Sequence, residues 1–186
     1  MTEMLQVEEE ISGLCELVKR EGCRSFLEIG SKFGGSLCRI AESMPTGSRV
    51  VSVDLPKGTK AWSVSEPSLQ AVLRDLKKRG YDCHMVWGDS AAPAIVEQVR
   101  KLGPFDIVFI DGDHRLSGLT KDWENYGSLG KMVAFHDISW RRAPEWVGTR
   151  IDVPQFWDVL KGNYRHEEFR FCPTGKNNGI GVLWKH

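Results

Sequence analysis

The sequence carries no net charge, with 25 Lys and Arg against 25 Asp and Glu. That argues against a dominant electrostatic grip on nucleic acid, whose affinity rests on neutralised phosphates. No apolar run approaches the ~20 residues of a membrane-spanning helix. The stretch Met1 to Glu10 is acidic and lacks the basic and apolar regions of a secretion signal. The cysteines (Cys15, Cys23, Cys38, Cys83, Cys172) are odd in number and contain no C-x-x-C pair. They read as reduced thiols of a cytoplasmic protein, most of them small core residues. No internal repeat, low-complexity segment or linker interrupts the chain, and 186 residues suit one domain with a single core. The dinucleotide-binding pattern G-x-G-x-x-G is also missing.

In its place stands Phe26-Leu27-Glu28-Ile29-Gly30-Ser31-Lys32-Phe33-Gly34-Gly35-Ser36, followed by Leu37, Ile40, Ala41 and Met44 at helical spacing. This predicts a strand, a tight glycine loop and a helix start, with helix N–H groups facing a ligand. The acid Glu28 at the strand end would repel a diphosphate. A ligand with hydroxyls and a positive charge fits better, and S-adenosylmethionine has both: a ribose, and an amino-acid tail whose ammonium lies near a sulfonium.

The rest of the chain alternates strand and helix. Met4, Val7, Ile11, Leu14, Leu17 and Val18 predict an amphipathic helix over 3–20. Strands are expected at 24–29, 49–54, 83–87, 105–110 and 131–135. Helices follow each: to Met44, from Pro67 to a stop at Gly80, and over 91–101, 116–126 and 153–160. Residues 55–66 and 138–150 read as loops, and 164–171 with 179–184 as a closing antiparallel pair. The apolar run Phe105 to Ile110 predicts a strand buried on both faces, as in a parallel sheet. The expected fold is a single α/β domain. It is a Rossmann-like doubly wound sheet, mostly parallel with an antiparallel last strand and helices on both faces. Within 1–186, residues 1–21 are an N-terminal helix, 22–160 a cofactor-binding core and 161–186 the closing strands.

Ligands of such folds bind outside the carboxyl ends of the strands. Those ends carry Glu28, Asp54, Asp89, Asp111 with Asp113 and His114, and His136 with Asp137. Acids there also cap helices, and for Asp89 that reading stands on equal terms.

These segments carry a resemblance. Phe26–Ser36, Val51–Pro56, Gly88-Asp89-Ser90, Phe105–His114 (F-D-I-V-F-I-D-G-D-H), Val133–Ile138 (V-A-F-H-D-I) and Val153–Trp157 (V-P-Q-F-W) resemble class I S-adenosylmethionine-dependent methyltransferases. Within that class the chain is similar to the small branch of cephalosporin-hydroxylase-like proteins and macrolide or aminocoumarin sugar O-methyltransferases. The resemblance spans about 22–160. It implies that Gly30, Ser31, Gly34 and Ser36 line the methionine moiety, with Glu28 beneath. It implies that Asp54 takes the ribose hydroxyls, Asp89 accepts from the adenine amino group with Ser90 beside it, and Asp111 sits where the methyl group is delivered.

Many relatives bind a divalent cation with acids at the ends of the fourth and fifth strands. Here those positions are Asp111, His136 and Asp137. His136 stands where relatives often carry an acid, so it is open between ligand, base and core histidine. The resemblance allows magnesium or manganese. His114 is the other candidate base, although Asp113 and His114 also read as a helix cap.

Two rival readings are kept. Asp111-Gly112-Asp113 is a D-x-D, which in glycosyltransferases holds a metal on a nucleotide sugar. Alternatively, the chain is a non-catalytic accessory protein on this fold. The partner expected is a small-molecule substrate, with no membrane and no nucleic acid. A homo-oligomer is left open. Trp62, Trp140 and Trp146 are candidates to stack on a substrate ring, and Arg141, Arg142 and Arg150 to hold an anion.

Overall fold

The computed structural model describes residues 6–56, 66–139, 151–171 and 178–185. Met4, Trp62, Trp140, Trp146, Arg141, Arg142, Arg150 and Cys172 lie outside the described residues, as do most of the two expected substrate loops. Cys15, Cys23, Cys38 and Cys83 are free thiols. Among the described residues no helix is long and apolar enough to cross a membrane.

The elements run α1 (Glu8–Arg20), β1 (Ser25–Ile29), α2 (Gly35–Glu42), β2 (Arg49–Asp54), α3 (Glu66–Lys78), β3 (Asp82–Trp87) and α4 (Pro93–Leu102). There follow β4 (Phe105–Ile110), α5 (Leu116–Tyr126), β5 (Gly130–His136), α6 (Val153–Lys161), β6 (His166–Phe169) and β7 (Ile180–Trp184). The expected elements are present within a few residues of their predicted bounds. One boundary bears on function: β5 runs on through His136, so that side chain is set by the pleat of the sheet.

The sheet order is β3-β2-β1-β4-β5-β7-β6. The first five strands pair in parallel. β7 enters antiparallel between β5 and β6, pairing with both. This is the doubly wound, mostly parallel sheet the sequence predicts. The winding reverses between β1 and β4, which opens a crevice at their carboxyl ends.

Successive strand residues point to opposite faces, and the core divides accordingly. Phe26, Val50, Ile107, Phe109, Met132 and Ala134 pack with Ile11, Leu14, Leu37, Leu69 and Leu76 of α1, α2 and α3. Leu27, Val51, Val108, Ile110, Val133 and Phe135 pack with Ile95, Val99, Leu119, Tyr126 and Trp157 of α4, α5 and α6. Both faces of the sheet are covered, so β4 is buried at every residue but the half-buried Asp106 and needs no polar alternation.

The two central strand tips touch at the glycine loop. The Gly30 N–H donates to Val53 O and the Asp111 N–H to Ile29 O, each at 2.9 Å. Gly30 has φ +88°, and a Cβ there would lie 2.7 Å from the Asp111 carbonyl carbon and 2.8 Å from Gly112 Cα. Both the angle and the space therefore demand glycine. Gly30→Ala is expected to cost about 3 kcal/mol through strain and collision with main chain that cannot swing aside. Urea unfolding of the variant measures this, and an unchanged midpoint would refute the close approach.

Candidate functional site

Beneath the glycine loop lies a sealed polar layer. Glu28 is fully buried and accepts a 2.7 Å hydrogen bond from the Ser36 hydroxyl at the start of α2. Burial pushes the Glu28 carboxyl up to about 8, against the opposing pull of the Ser31 and Ser36 hydroxyls. Its second oxygen has no hydrogen-bond partner. Ser31 is also buried, its hydroxyl 2.7 Å from that of Ser52 on β2. Ser31 and Ser36 thus turn their hydroxyls into the protein, and Glu28 supports the loop from below. Gly34 caps α2 at φ +84°, with its N–H on Ser31 O at 2.7 Å.

Asp54 ends β2 beside this loop. Its two oxygens accept from the Lys32 N–H and the Leu55 N–H, both at 2.7 Å. The carboxylate is thereby fixed in direction, with acceptor capacity left on each oxygen. Burial raises its pKa, while those N–H groups oppose the shift. Asp89 is exposed at the end of β3 and folds back onto the Ala91 N–H at 2.9 Å. This is a local turn ahead of α4, whose N-cap is Ala92 and takes no side-chain hydrogen bond, so Asp89 is not the helix cap the sequence allows.

The tips of β4 and β5 bring four side chains into a closed ring. Asp111 Oδ1 lies 3.1 Å from His114 Nε2 and 3.1 Å from His136 Nδ1. Asp137 Oδ2 lies 3.1 Å from His114 Nδ1, and its Oδ1 lies 3.3 Å from His136 Nδ1. Acids and imidazoles alternate around it. Asp137 reaches the ring because its backbone turns left-handed at φ +62°, an unfavourable angle for a residue with a Cβ. The Gln6 amide closes the ring from outside, donating to Asp111 Oδ2 at 2.7 Å. Glu10 of α1 is buried behind it, holding the Phe171 and Gly179 N–H groups at 3.1 and 2.9 Å.

An ionised carboxylate only accepts, so both His114 nitrogens must donate and His114 is an imidazolium. Burial favours the neutral ring, but the hydrogen bonds and charges of Asp111 and Asp137 outweigh it and lift His114 to about 10. The same balance of burial against Asp111 and Asp137 lifts His136 to about 9. Asp111 is well below the usual carboxylate range: its burial is overcome by His136 and His114. Asp111 and Asp137 thus oppose the neutral ring that the base role expected for His114 requires.

Two carboxylates and two imidazoles are donors a divalent cation accepts. Their arrangement does not fit one. Among the described residues no group of three His, Cys, Asp or Glu side chains is placed to hold an ion. His114 spans Asp111 and Asp137 with its own two nitrogens. Nor do Asp111 and Asp113 share a centre, because Asp113 turns to Arg115 in a salt bridge of 2.6 Å. The D-x-D therefore does not present two carboxylates to one metal.

Gln6, Glu10 and Asp122 are polar members of this region that motif reading passed over. Asp122 of α5 is buried and takes the Ser90 hydroxyl at 2.7 Å. Glu10 and Asp122 each stand in the apolar stripe of an amphipathic helix, which is a signal visible in sequence. Gln6 offers no such signal.

The ring fixes how stability responds to pH. A histidine whose pKa rises on folding stabilises fully below its unfolded value and less as pH climbs through the folded one. The melting temperature is therefore expected to fall between pH 6.5 and about 10. His136→Leu should cost about 3–5 kcal/mol, since it leaves two buried carboxylates short of a partner. It should also flatten the alkaline decline. Thermal melts across this range test both, and equal slopes for the two proteins would show that the ring carries no charge coupling.

A methyltransferase-domain family model matches residues 27–138. No curated protein matches the sequence. Among solved structures the chain is similar to an O-methyltransferase from Bacillus cereus solved with S-adenosylhomocysteine, at 18% identity and TM-score 0.69, covering 97% of this chain and 82% of that one. It is similar to the O-methyltransferase TomG from Streptomyces achromogenes, involved in tomaymycin synthesis and solved with S-adenosylmethionine, at 18% identity and TM-score 0.70 with the same coverage. A third, the Podospora anserina methyltransferase PaMTH1 with S-adenosylhomocysteine, gives 18% identity and TM-score 0.61 over 98% and 80% of the two chains. These likenesses carry the fold. The family match runs from β1 through the Asp–His ring and takes in well over half of the sequence, and by it this chain belongs to the methyltransferase-domain family.

Proposed function

We propose that the protein is an S-adenosylmethionine-dependent O-methyltransferase acting on a hydroxyl of a small molecule or sugar. The observation that carries the reading is an adjacency. The glycine loop after β1 lies against the β4 end of the Asp–His ring, with Gly30 packed on the Asp111 main chain. A methyl donor held by that loop is delivered beside the ring.

In this reading the backbone of Gly30, Ser31, Gly34 and Ser36 receives the methionine moiety, with Glu28 fixing Ser36 from beneath. Asp54 accepts both ribose hydroxyls, a task for which its constrained carboxylate suits. Asp89 accepts from the adenine amino group, next to Ser90. The anionic Asp111 lies nearest the sulfonium.

The acceptor hydroxyl docks at His114, the most exposed member of the ring, with a side chain 25% accessible against 10% for Asp111 and 5% for Asp137. Its oxygen attacks the methyl carbon in line with the breaking C–S bond, and S-adenosylhomocysteine leaves with the bonding pair. The His114 imidazolium stabilises charge developing on the oxygen. Asp137, whose Oδ2 lies 3.1 Å from His114 Nδ1, takes the proton. The residues that stand where relatives bind a cation thus supply positive charge through two protonated imidazoles.

Calorimetry with S-adenosylhomocysteine tests the cofactor. Binding is expected, and Asp54→Ala should weaken it by roughly 1–3 kcal/mol through unpaired ribose hydroxyls. Undiminished affinity would remove Asp54 from that role. Methyl transfer to a panel of sugar and phenolic hydroxyls tests the reaction. Asp137→Asn is expected to abolish turnover while leaving S-adenosylhomocysteine affinity intact. Cofactor binding with no transfer to any hydroxyl would favour the accessory reading. Activity lost to EDTA and restored by magnesium or manganese would return the cation to the ring.

A further inference from the structure

Two hydrogen bonds tie helix α5 to Ser90 in the loop after β3. Asp122 Oδ1 accepts the Ser90 hydroxyl at 2.7 Å, and the Tyr126 hydroxyl donates to the Ser90 carbonyl at 2.6 Å. Leu119, Asp122 and Tyr126 lie on the buried face of α5. Asp122 is 1% exposed, and its Oδ2 has no hydrogen-bond partner. That oxygen would lie 3.4 Å from a Cβ on Gly112, in the loop that follows β4. One buried carboxyl therefore sits between Gly112 and Ser90, under two of the loops that frame the crevice. A carboxyl in this position is costly, since burial pushes it up to about 6. An apolar residue would continue the stripe of Leu119 and Tyr126 at no such cost.

We propose that Asp122 is a positioning residue of the adenine subsite: it grips Ser90 from beneath and, with Tyr126, holds the 88–90 loop in the place the adenine base needs. This rests on the cofactor reading above and extends it to residues outside the family's motif segments. The Ser90 hydroxyl is then engaged inside the protein. Ser90 serves the base through the backbone it fixes, which sets where the neighbouring Asp89 carboxylate meets the adenine amino group. Asp122 touches no reacting atom, and its effect is confined to the half of the cofactor that carries the base.

The test compares two ligands that share the homocysteine and ribose and differ by the base: S-adenosylhomocysteine and S-ribosylhomocysteine. Calorimetry on the full chain is expected to show Asp122→Ala weakening the first by about tenfold and leaving the second unchanged. Asp122→Asn keeps an oxygen for the Ser90 hydroxyl and should restore most of the loss. Tyr126→Phe removes only the grip on the carbonyl and should produce a smaller loss of the same selectivity, so the inference stays testable if Asp122→Ala does not fold. Equal weakening of both ligands, or of neither, overturns it, and equal weakening with a lowered melting temperature marks Asp122 as a general support of the fold. A wild-type protein that binds S-ribosylhomocysteine but gains nothing from adenine also overturns it while sparing the ribose and methionine roles. A wild-type protein that binds neither ligand refutes the cofactor reading itself.

Discussion

Two carboxylates at neighbouring strand tips cannot both stay ionised inside a protein unless positive charge stands between them. Asp111 and Asp137 face that constraint at the ends of β4 and β5, and His114 and His136 meet it. Much of the local structure follows. β5 must extend through His136 so that its ring points back to Asp111. Asp137 must adopt a left-handed backbone to turn inward. The loop after β4 must bring His114 across to bridge both acids, and Asp152 and Leu116 tie that loop to the start of α6.

The same constraint shapes the chemistry. A carboxylate pair relieved by a metal keeps its charge whatever the pH, whereas a pair relieved by imidazolium depends on two protons. The ring is therefore a store of donors and acceptors. His114 turns one nitrogen to each acid and His136 Nδ1 faces both, so acids and imidazoles meet within one cluster. The glycine loop supplies the other half of the geometry. Because Gly30 lies directly against the Asp111 main chain, the glycine loop and the ring cannot drift apart.

The strand–helix alternation was legible because both faces of the sheet are apolar, which makes strands such as Phe105–Ile110 near-continuous apolar runs and helices amphipathic. The acids at the strand tips were legible because the winding order places every parallel strand's carboxyl end on one edge. Side-chain direction was not. Ser31 and Ser36 lie in the loop at ligand-facing positions, yet their hydroxyls turn to Ser52 and Glu28, since a buried carboxyl needs partners more than the crevice does. Asp113 sits two residues from Asp111 but is drawn outward by Arg115. Asp122 and Glu10 interrupt apolar stripes, a mark that periodicity contains but that motif reading does not weigh.

The sequence by itself determined the order of elements, the parallel sheet, the glycine turn and the set of titratable residues at its edge, because these depend on local periodicity and on rules of chain winding. Only the tertiary structure decided which of those residues face one another. Gln6 reaches Asp111 across 105 positions, and His114 meets Asp137 across the gap between two strands. Such contacts come from the register of β4 on β5 and from the path of α1 over the sheet, and no local pattern encodes them. The arrangement of charge in the ring follows from those distances, so which carboxylate meets which imidazole is a property of the fold.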